Sequence, residues 1–541
     1  MALTDSAART EETHPRAFEP TVLGITVVLS VVGAIIGLNL ITTLGISANT
    51  SVIGALVAMI LGRINLAGLR RMRSVHRQNL VQSAVSGSTF AAANSLLAPI
   101  AVPFAFGRPD LVWPVFIGVA IGLVADSLVL YWTFNSRLLP AQAAWPPGVA
   151  AADTISAGDK GGRRAGILAG GAAVGFVGAL FKLPMSAAGV AFIGNLWALA
   201  MFGAGLLFRQ YSPAWFGVDL NDLYIPHGMM IGAGLIALGQ AAVLMFGHGR
   251  RHTDRPERSQ DEVDPSSLPQ VDEKQLRRGL IRGYALFALG AAVVATAGGL
   301  AAELSVPALV AWVLVAALAA IVHEIIVGLA AMHSGWFPAF AVTLIFLVLG
   351  MLAGVPAMPL ALFVGYTSAT GPAFADMGYD LKAGWLLRRD RRPYDVFERA
   401  GRRQQYLSAL VGFAVATTVV AVSWQSFFAD GLIPPVAKVY ATTIHAGLSQ
   451  PNILLMLLLW AIPGALIQLV GGANRQMGVL LATGLLILSP NACWLVFAAL
   501  LARVAYRRWR GPAADEDLNL VGAGLIAGDA LHATSRIVET R

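Results

Sequence analysis

The sequence predicts an all-α polytopic membrane protein with roughly 14 transmembrane or re-entrant helices, within a range of about 12–16, in two homologous halves. First, 56% of the residues are hydrophobic and 13% are charged, whereas about a quarter of the residues of soluble proteins are charged. Second, apolar windows of about 20 residues, long enough to span a bilayer, recur from Pro20 almost to Arg510. Third, short motifs recur in the same order half a chain apart.

The charged residues lie mostly in short loops between the apolar windows. Basic loops of this kind remain cytoplasmic, so the net charge of +8 does not indicate binding of nucleic acid. The N-terminus lacks the basic start and apolar core of a signal peptide, and we expect a cytoplasmic tail. The single cysteine, Cys493, allows neither an intramolecular disulfide nor a cysteine-based metal cluster.

One long polar stretch, rich in Arg, Asp, Glu, Pro and Ser, divides the chain into similar parts. This composition is typical of a flexible linker. We therefore expect the following units: a cytoplasmic tail (1–20), a first membrane half (21–247), a cytoplasmic linker (248–278), a second membrane half (279–531) and a C-terminal tail (532–541).

The apolar windows predict the spans in order along the chain. In the first half they lie at Thr21–Ile46, Ser51–Leu69, His76–Phe106, Leu111–Phe134, Ala165–Leu183 and Ala187–Phe208, followed by a re-entrant segment in Asp219–Gln240. In the second half they lie at Leu280–Ala302, Val306–Leu329, Phe337–Val355, Leu407–Phe428 and Ile453–Leu469, the last two with broken segments on both sides. The stretch Pro356–Asp380 is rich in small residues and runs into a basic loop.

The third window is unusual because amides, hydroxyls and glycine crowd it. Asn79, Gln82, Ser83 and Ser86 have the spacing that places them on one face of a helix. In hydrocarbon each polar group needs an internal partner or a water-filled cavity. We interpret this polar stripe as a lining of the transport passage that contacts substrate. The alternative is ordinary helix packing through small residues.

The internal repeat rests on several short matches. The hexapeptide GAGLIA occurs at Gly232–Ala237 and again at Gly522–Ala527. Asn195 is followed by a Gly-Leu-Leu sequence, and Asn474 has the same sequence at a similar distance. We expect the broken polar segments of the two halves to meet around one central site. Whether the halves are inverted or parallel stays open.

Longer motifs resemble a known family. They are RQNLVQSAVSG at Arg77–Gly87, TGPAFADMGYDLKAGWLLR at Thr370–Arg388, GRRQQ at Gly401–Gln405, RQMGVLLATGLL at Arg475–Leu486 and GAGLIAGDAL at Gly522–Leu531. Together they resemble the oligopeptide transporter (OPT) family, including its yellow-stripe-like branch, over most of the chain.

The resemblance implies a secondary transporter that imports small peptides or peptide-like metal chelates. Its driving force would be the proton gradient, with no bound cofactor. The chain is short beside the eukaryotic members and is similar to a bacterial branch, so we expect an integral protein of the bacterial inner membrane. The expected partners are the peptide or chelate substrate and the lipid bilayer, with a homodimer left open. We expect no nucleic-acid partner.

Proton coupling needs a titratable group within the membrane, and ionisable residues inside spans are therefore functional candidates. His323 and Glu324 lie in one apolar run and Asp126 lies in another. The alternatives are a buried ion pair or hydrogen bond that holds helices together, including a pair of Asp126 with Lys182. A zinc-protease motif is rejected because Val327 stands where histidine is required.

Seven further residues are candidates of other kinds. Three of them lie near a basic loop, and we interpret them as gate or topology residues: Asp376, Asp380 and Lys382. The resemblance places Asp380 and Lys382 in the family motif. Asn195 and Asn474 are substrate-contact candidates that could instead cap half-helices or join helices. The remaining gate or motif candidates are His227 and Asp529.

Other classes of function lack their motifs. The sequence contains neither an evident set of nucleophile and base, nor a metal triad, nor a phosphate-binding loop for ATP. We therefore expect a transporter that is not an enzyme and holds no metal of its own. The competing hypothesis is a passive channel or pore, which would also use polar segments rich in small residues.

Overall fold

A computed structural model describes most of the chain. The described residues are 13–45, 69–157, 163–247, 270–334, 339–391, 393–446, 451–472, 475–489, 491–511 and 514–539. The predicted span Ser51–Leu69 lies almost wholly outside these ranges, as do most of the predicted linker and Asn474.

The described residues form α-helices joined by turns. Before the linker these are α1 (Pro20–Thr43), α2 (Val75–Phe90), α3 (Ala98–Ala105), α4 (Val112–Thr133), α5 (Pro146–Ala157), α6 (Arg163–Leu180), α7 (Met185–Ile193), α8 (Leu196–Phe216) and α9 (Ile225–Gly247). After it come α10 (Glu273–Ala297), α11 (Leu300–Glu303), α12 (Val306–Ser334), α13 (Ala339–Leu352), α14 (Ala357–Ser368), α15 (Pro372–Arg388), α16 (Tyr394–Ala429), α17 (Pro435–Ala446), α18 (Pro451–Gly471), α19 (Met477–Leu486), α20 (Ala492–Arg510) and α21 (Ala514–Glu539).

The predicted fold class is confirmed. Among the described residues, six helices are long and apolar enough to cross a membrane. They are Pro20–Thr43, Val75–Ala105, Pro109–Thr133, Glu273–Ala297, Val306–His333 and Tyr394–Ala429. Shorter apolar helices of 10–17 residues are also present, including α13 and α19. Short apolar helices of this kind fit the expectation of broken segments that end within the membrane.

The second long helix lies at the centre of the molecule. α2 continues through a π-helical stretch at Ala91–Leu97 into α3. In the most apolar window of this helix, 94% of the residues are buried inside the protein, against 44% for α1. A π-helical stretch often marks a functional site. The polar third window is therefore an interior helix that other helices surround.

Helices from the two halves, taken as residues 21–247 and 279–531, interleave in one core. α9 packs along α18, and α6 packs along α21. Gly205 in α8 and Gly484 in α19 occupy matching places in the predicted repeat and lie against each other. A Cβ atom on Gly205 would lie 2.9 Å from the Cα of Gly484, so the two backbones meet with no side chain between them.

Two stretches of the chain form pairs of shorter helices. The predicted span Ala187–Phe208 forms α7 and α8, with Asn195 as the N-cap between them. The small-residue-rich stretch Pro356–Asp380 forms α14 and the start of α15, separated by Gly371 with φ +94°. Apolar length alone predicted a single span at Ala187–Phe208, because hydropathy does not detect a helix cap.

A helix begins within the last residues of the segment predicted as the linker. α10 starts at Glu273, inside the segment assigned to the linker. The backbone N–H of Gln275 donates to the carboxylate of Asp272 at 2.6 Å, and the Gln275 side chain accepts from the Asp272 N–H at 3.3 Å. This capping box fixes the start of the helix.

Candidate functional site

A cavity of about 480 Å³ lies where broken helices of the two halves meet. We call it the central cavity. The first half contributes Phe90, Asn94, Asn195 and Met230 to its walls, among others, and the second half contributes Phe340, Ser368, Pro372, Tyr379, Tyr440, Gln476 and Thr483, among others. Its volume falls within the range of roughly 300–1,000 Å³ that is usual for small-ligand sites.

The ends of short helices surround the cavity. The side-chain oxygen of Asn195 accepts hydrogen bonds from the backbone N–H groups of Trp197 at 3.0 Å and Ala198 at 3.2 Å, which caps α8. Asn195 thus adopts the capping role that the sequence left open, and it also lines the cavity. At α19 the cap comes from another helix, because Gln468 accepts from Gly478 at 3.1 Å.

The N-terminus of α15 is capped from a distance. Gly371 precedes this helix with φ +94°, a conformation that other residues rarely adopt. Its backbone N–H donates to the carboxylate of Asp126, in α4, at 2.9 Å. Asp126 is fully buried whereas Lys182 is exposed, so the predicted alternative of a pair between them is wrong.

Glu324 lies close to Asp126 in a fully buried position. Neither carboxyl oxygen of Glu324 has a hydrogen-bond partner in the described part of the chain. An isolated carboxylate at this depth would be very costly, and a neighbouring carboxylate would add repulsion. We call Asp126 and Glu324 the carboxyl pair. Such a pair favours a state in which a proton resides on it.

His323 faces a different set of groups from its neighbour Glu324. Its Nε2 lies 2.9 Å from the carbonyl oxygen of Ala339 and 3.0 Å from the hydroxyl of Thr343. Its Nδ1 lies 3.3 Å from the hydroxyl of Thr370, one residue before Gly371. His323 therefore connects α12 with α13 and with the start of α15.

The polar stripe of α2 faces α15. Ser86 donates to Asp376 at 2.7 Å, and the side chain of Gln82 donates to Asp380. Asn79 donates to Gln82 at 3.0 Å within α2. In this conformation the stripe lies at a contact between the halves and does not line the central cavity, as far as the described lining residues show. Its role in substrate binding remains a prediction.

Ser83 belongs to a network that the sequence did not single out as a site. Gln405 in α16 donates to the hydroxyl of Ser83 at 2.8 Å and also to the backbone carbonyl of Asp380. Arg388 donates to the Gln405 side chain at 3.1 Å and to the carboxylate of Glu398 at 2.7 Å. Both members of this ion pair have side chains that are 1% exposed. The sequence signal for this network was that Ser83, Arg388 and Gln405 each belong to one of the motifs that resemble the family.

Three remaining candidates have structural contacts of their own. The ammonium of Lys382 donates to the carbonyl oxygens of Ala141 at 2.8 Å and Ala143 at 3.0 Å. Asp529 accepts from the backbone N–H of Ser186 at 2.8 Å, near the start of α7. His227 is buried near the start of α9. None of the three lies with the carboxyl pair or among the described lining residues of the cavity.

The segment before α1 docks on the same end of the molecule as Arg388. His14 packs against the rings of His76 and Phe397, with centroids 5.2 Å away in each case. Burial, aided by the nearby Arg388 charge, lowers the pKa of His14 from 6.5 to about 3. The backbone N–H of Ala17 donates to Gln404 at 2.9 Å. The docked segment thus holds a neutral histidine.

The comparisons with known proteins agree with this architecture. A family model described as OPT oligopeptide transporter protein matches residues 20–232 and 182–533. Together the two matches reach from the first helix into the last. Among curated proteins, no sequence matches the chain.

Proposed function

The chain belongs to the OPT oligopeptide transporter family, and we propose that it imports short peptides by proton-coupled alternating access. As an integral membrane protein of this family it is an oligopeptide transporter. The proposal adds the direction, the driving force and the mechanism. It also places the protein in the inner membrane of a bacterium with its N-terminus in the cytoplasm, because the basic loops fit that orientation.

The central cavity carries the proposal. It lies where short helices from both halves end, and neither half forms it alone. Transporters built from two repeats place their substrate at such a junction of discontinuous helices. A rearrangement of one half against the other would open a chamber there first to one side of the membrane and then to the other.

The carboxyl pair supports proton coupling. In the part of the chain that the structure describes, these two buried carboxyl groups form no ion pair with a basic side chain. Two such groups bind a proton more readily than they hold two negative charges. Asp126 joins this position to α15 through the Gly371 N–H. A change of protonation would therefore alter the attraction that orients the N-terminus of α15, where the helix dipole favours a negative charge.

α15 is placed to pass this change on. It packs against α2, α4, α12 and α16, and it supplies Pro372 and Tyr379 to the central cavity. Two further residues of α15, Asp376 and Asp380, accept hydrogen bonds from the polar stripe of α2. A shift of α15 would exchange these contacts and alter the cavity wall in one movement, which is the coupling that a symporter requires.

A metal chelate is the other substrate class that the family resemblance implies. The described residues contain no group of three or more His, Cys, Asp or Glu side chains that could hold a metal ion. A chelated metal would therefore have to enter with its own ligands. We place short peptides first because the cavity needs no metal-binding group to receive them.

Uptake into proteoliposomes tests the proposal against a passive pore. Vesicles that contain the purified protein receive radiolabelled trialanine outside, with the outer solution more acidic than the lumen. Coupled import predicts accumulation above the outer concentration, and an uncoupler should abolish that accumulation. Equilibration to equal concentrations, unaffected by the uncoupler, would contradict coupling and favour a channel.

A further inference from the structure

The walls of the central cavity are largely apolar. Four aromatic side chains, those of Phe90, Phe340, Tyr379 and Tyr440, line it together with aliphatic residues and prolines. Among the described lining residues none is Asp, Glu, Lys, Arg or His. A ligand that fills the cavity therefore meets neither an acidic nor a basic side chain.

Several buried charged groups outside the lining already have partners. Asp376 binds Ser86, and Lys382 binds two backbone carbonyl groups. Asp126 caps α15, and Arg388 pairs with Glu398. Glu324 has no hydrogen-bond partner in the described part of the chain, but it is buried beside Asp126. None of these side chains is among the described lining residues, so a charged ligand side chain in the cavity would contact none of them without a rearrangement.

Most polar groups of the lining are also occupied. The Asn195 side chain accepts from its own helix, and Ser368 donates to Gly365 at 3.0 Å. Thr483 donates to Val479 at 2.8 Å. The hydroxyl of Tyr379 differs from these, because it has no hydrogen-bond partner in the described part of the chain although its residue is only 2% exposed.

A buried hydroxyl without a partner costs free energy, so it gains by forming a bond when a ligand is present. The Tyr379 hydroxyl is closed off from the empty cavity, so a ligand would reach it through a small shift of the ring that lines the wall. The hydroxyl of Tyr440, in the same cavity, already donates to the carbonyl of Phe340 at 3.2 Å. Among the described hydroxyl groups of the lining, that of Tyr379 is the one without a bond to the protein.

The two ends of a linear peptide carry opposite charges, and the cavity meets both signs of helix dipole. α8, α13, α15, α17 and α19 begin at the cavity with their partial positive ends, while α7 and α14 end there with their partial negative ends. Each charged terminus of a linear peptide can therefore meet helix ends of the opposite partial charge. They do not supply a counterion for an additional charged side chain.

We propose that the central cavity selects short peptides with uncharged, apolar side chains, and that the Tyr379 hydroxyl is a specificity-determining contact to a peptide carbonyl. This inference rests on the proposed transport of peptides through the central cavity. It assigns the cavity a substrate class and gives one residue a direct contact with the ligand.

Competition among tripeptides of equal length tests the substrate class. Proteoliposomes with wild-type protein receive labelled trialanine, and unlabelled trileucine, trilysine or triglutamate is added at increasing concentration. Trileucine should inhibit uptake at a concentration at least about tenfold lower than either charged peptide, because a charge at membrane depth lacks a partner. Equal inhibition by all three would overturn the inference while leaving peptide transport intact. If trialanine itself does not enter, the proposed function fails and the inference falls with it.

Tyr379→Phe tests the contact itself, because it removes the hydroxyl alone. The KM for trialanine should rise by about threefold to tenfold with little change in maximal rate, since no protein hydrogen bond is lost. Tyr366→Phe is the matched control, because its buried hydroxyl donates to Phe287 at 2.7 Å away from the cavity. An unchanged KM in Tyr379→Phe, or an equal rise in the control, would overturn the assignment.

Discussion

The carboxylate of Asp126 accepts a hydrogen bond from the backbone N–H of Gly371 at 2.9 Å, although the two residues are 245 positions apart in the chain. This bond joins a span of the first half to the first turn of α15, which lines the central cavity and packs against the polar helix α2. It therefore connects a titratable group to a wall of the proposed substrate chamber.

Asp126→Asn separates the capping role of this residue from its charge. The amide oxygen can still accept from Gly371, so we expect the fold to survive, while uptake driven by the pH gradient falls strongly. Asp126→Ala removes the cap and should lower the free energy of unfolding by about 1–3 kcal/mol. Thermal melts in detergent and proteoliposome uptake measure the two effects. Full uptake by Asp126→Asn would show that its charge has no part in coupling.

Glu324→Gln removes the other carboxyl of the pair while nearly keeping its shape. Since neither oxygen of Glu324 has a partner in the described residues, we expect folding to be unaffected. Uphill accumulation of trialanine should be lost, whereas exchange of labelled for unlabelled peptide at equal concentrations should continue, because exchange needs no net proton movement. If both exchange and accumulation are lost, the substitution has instead damaged the cavity.

Gly371→Ala places a side chain in a backbone conformation that disfavours it. The φ of +94° alone costs on the order of 1–3 kcal/mol. The added Cβ would also lie 2.9 Å from the Cβ of Val327. Gly354→Ala is the matched control, because its φ is +72° and nothing lies within 4 Å of the added atom. We expect the larger loss of thermal stability at Gly371, and equal losses would show that the contact with Val327 relaxes at no cost.

His14 gives the docked N-terminal segment a pH dependence. Its pKa is about 3 when docked and about 6.5 when released. Between these values the released segment binds the proton, so docking is strongest above pH 6.5 and weakens by up to about tenfold per pH unit as the pH falls. Hydrogen exchange at Ala17, corrected for the intrinsic rate, should report this release. His14→Phe should reduce the pH dependence, with any remainder due to the buried His76 whose ring packs against His14. A dependence that is unchanged in this variant would assign it to another group.

The buried pair of Arg388 and Glu398 should be sensitive to the loss of either partner. Glu398→Leu alone leaves Arg388 buried without its carboxylate partner, and we expect a loss of about 3–5 kcal/mol of stability, whereas Arg388→Met alone leaves Glu398 in the same position. The double variant Arg388→Met with Glu398→Leu should recover most of that loss. Denaturation of the four proteins in a double-mutant cycle measures the coupling. A coupling free energy near zero would show that the two charges contribute to stability independently of each other.

Much of the architecture follows from local composition. The amides and hydroxyls between Asn79 and Ser86 predicted an interior segment, and α2 is an almost fully buried helix. Gly205 and Gly484 appeared in the sequence as parts of a repeat, and they meet in the core. The family followed from longer motifs that together cover most of the chain.

The partners of the candidate residues did not follow from the sequence. Hydropathy and helical periodicity describe neighbours within a few turns, whereas the bonds from Asp126 to Gly371 and from Gln405 to Ser83 join distant segments. The cap at Asn195 had a local signal, because asparagine before an apolar run favours a helix start. The apolar window around it concealed the break. The cavity could not be predicted, because its walls depend on where the ends of several distant helices meet.

The central claim is that the cavity between the two halves is the substrate chamber. A cryo-electron microscopy structure in nanodiscs, determined with and without saturating trialanine, tests it most directly. The account predicts peptide density in the central cavity, with a carbonyl oxygen within hydrogen-bond distance of the Tyr379 hydroxyl. Peptide density at another position, with the cavity unchanged between the two structures, would contradict it.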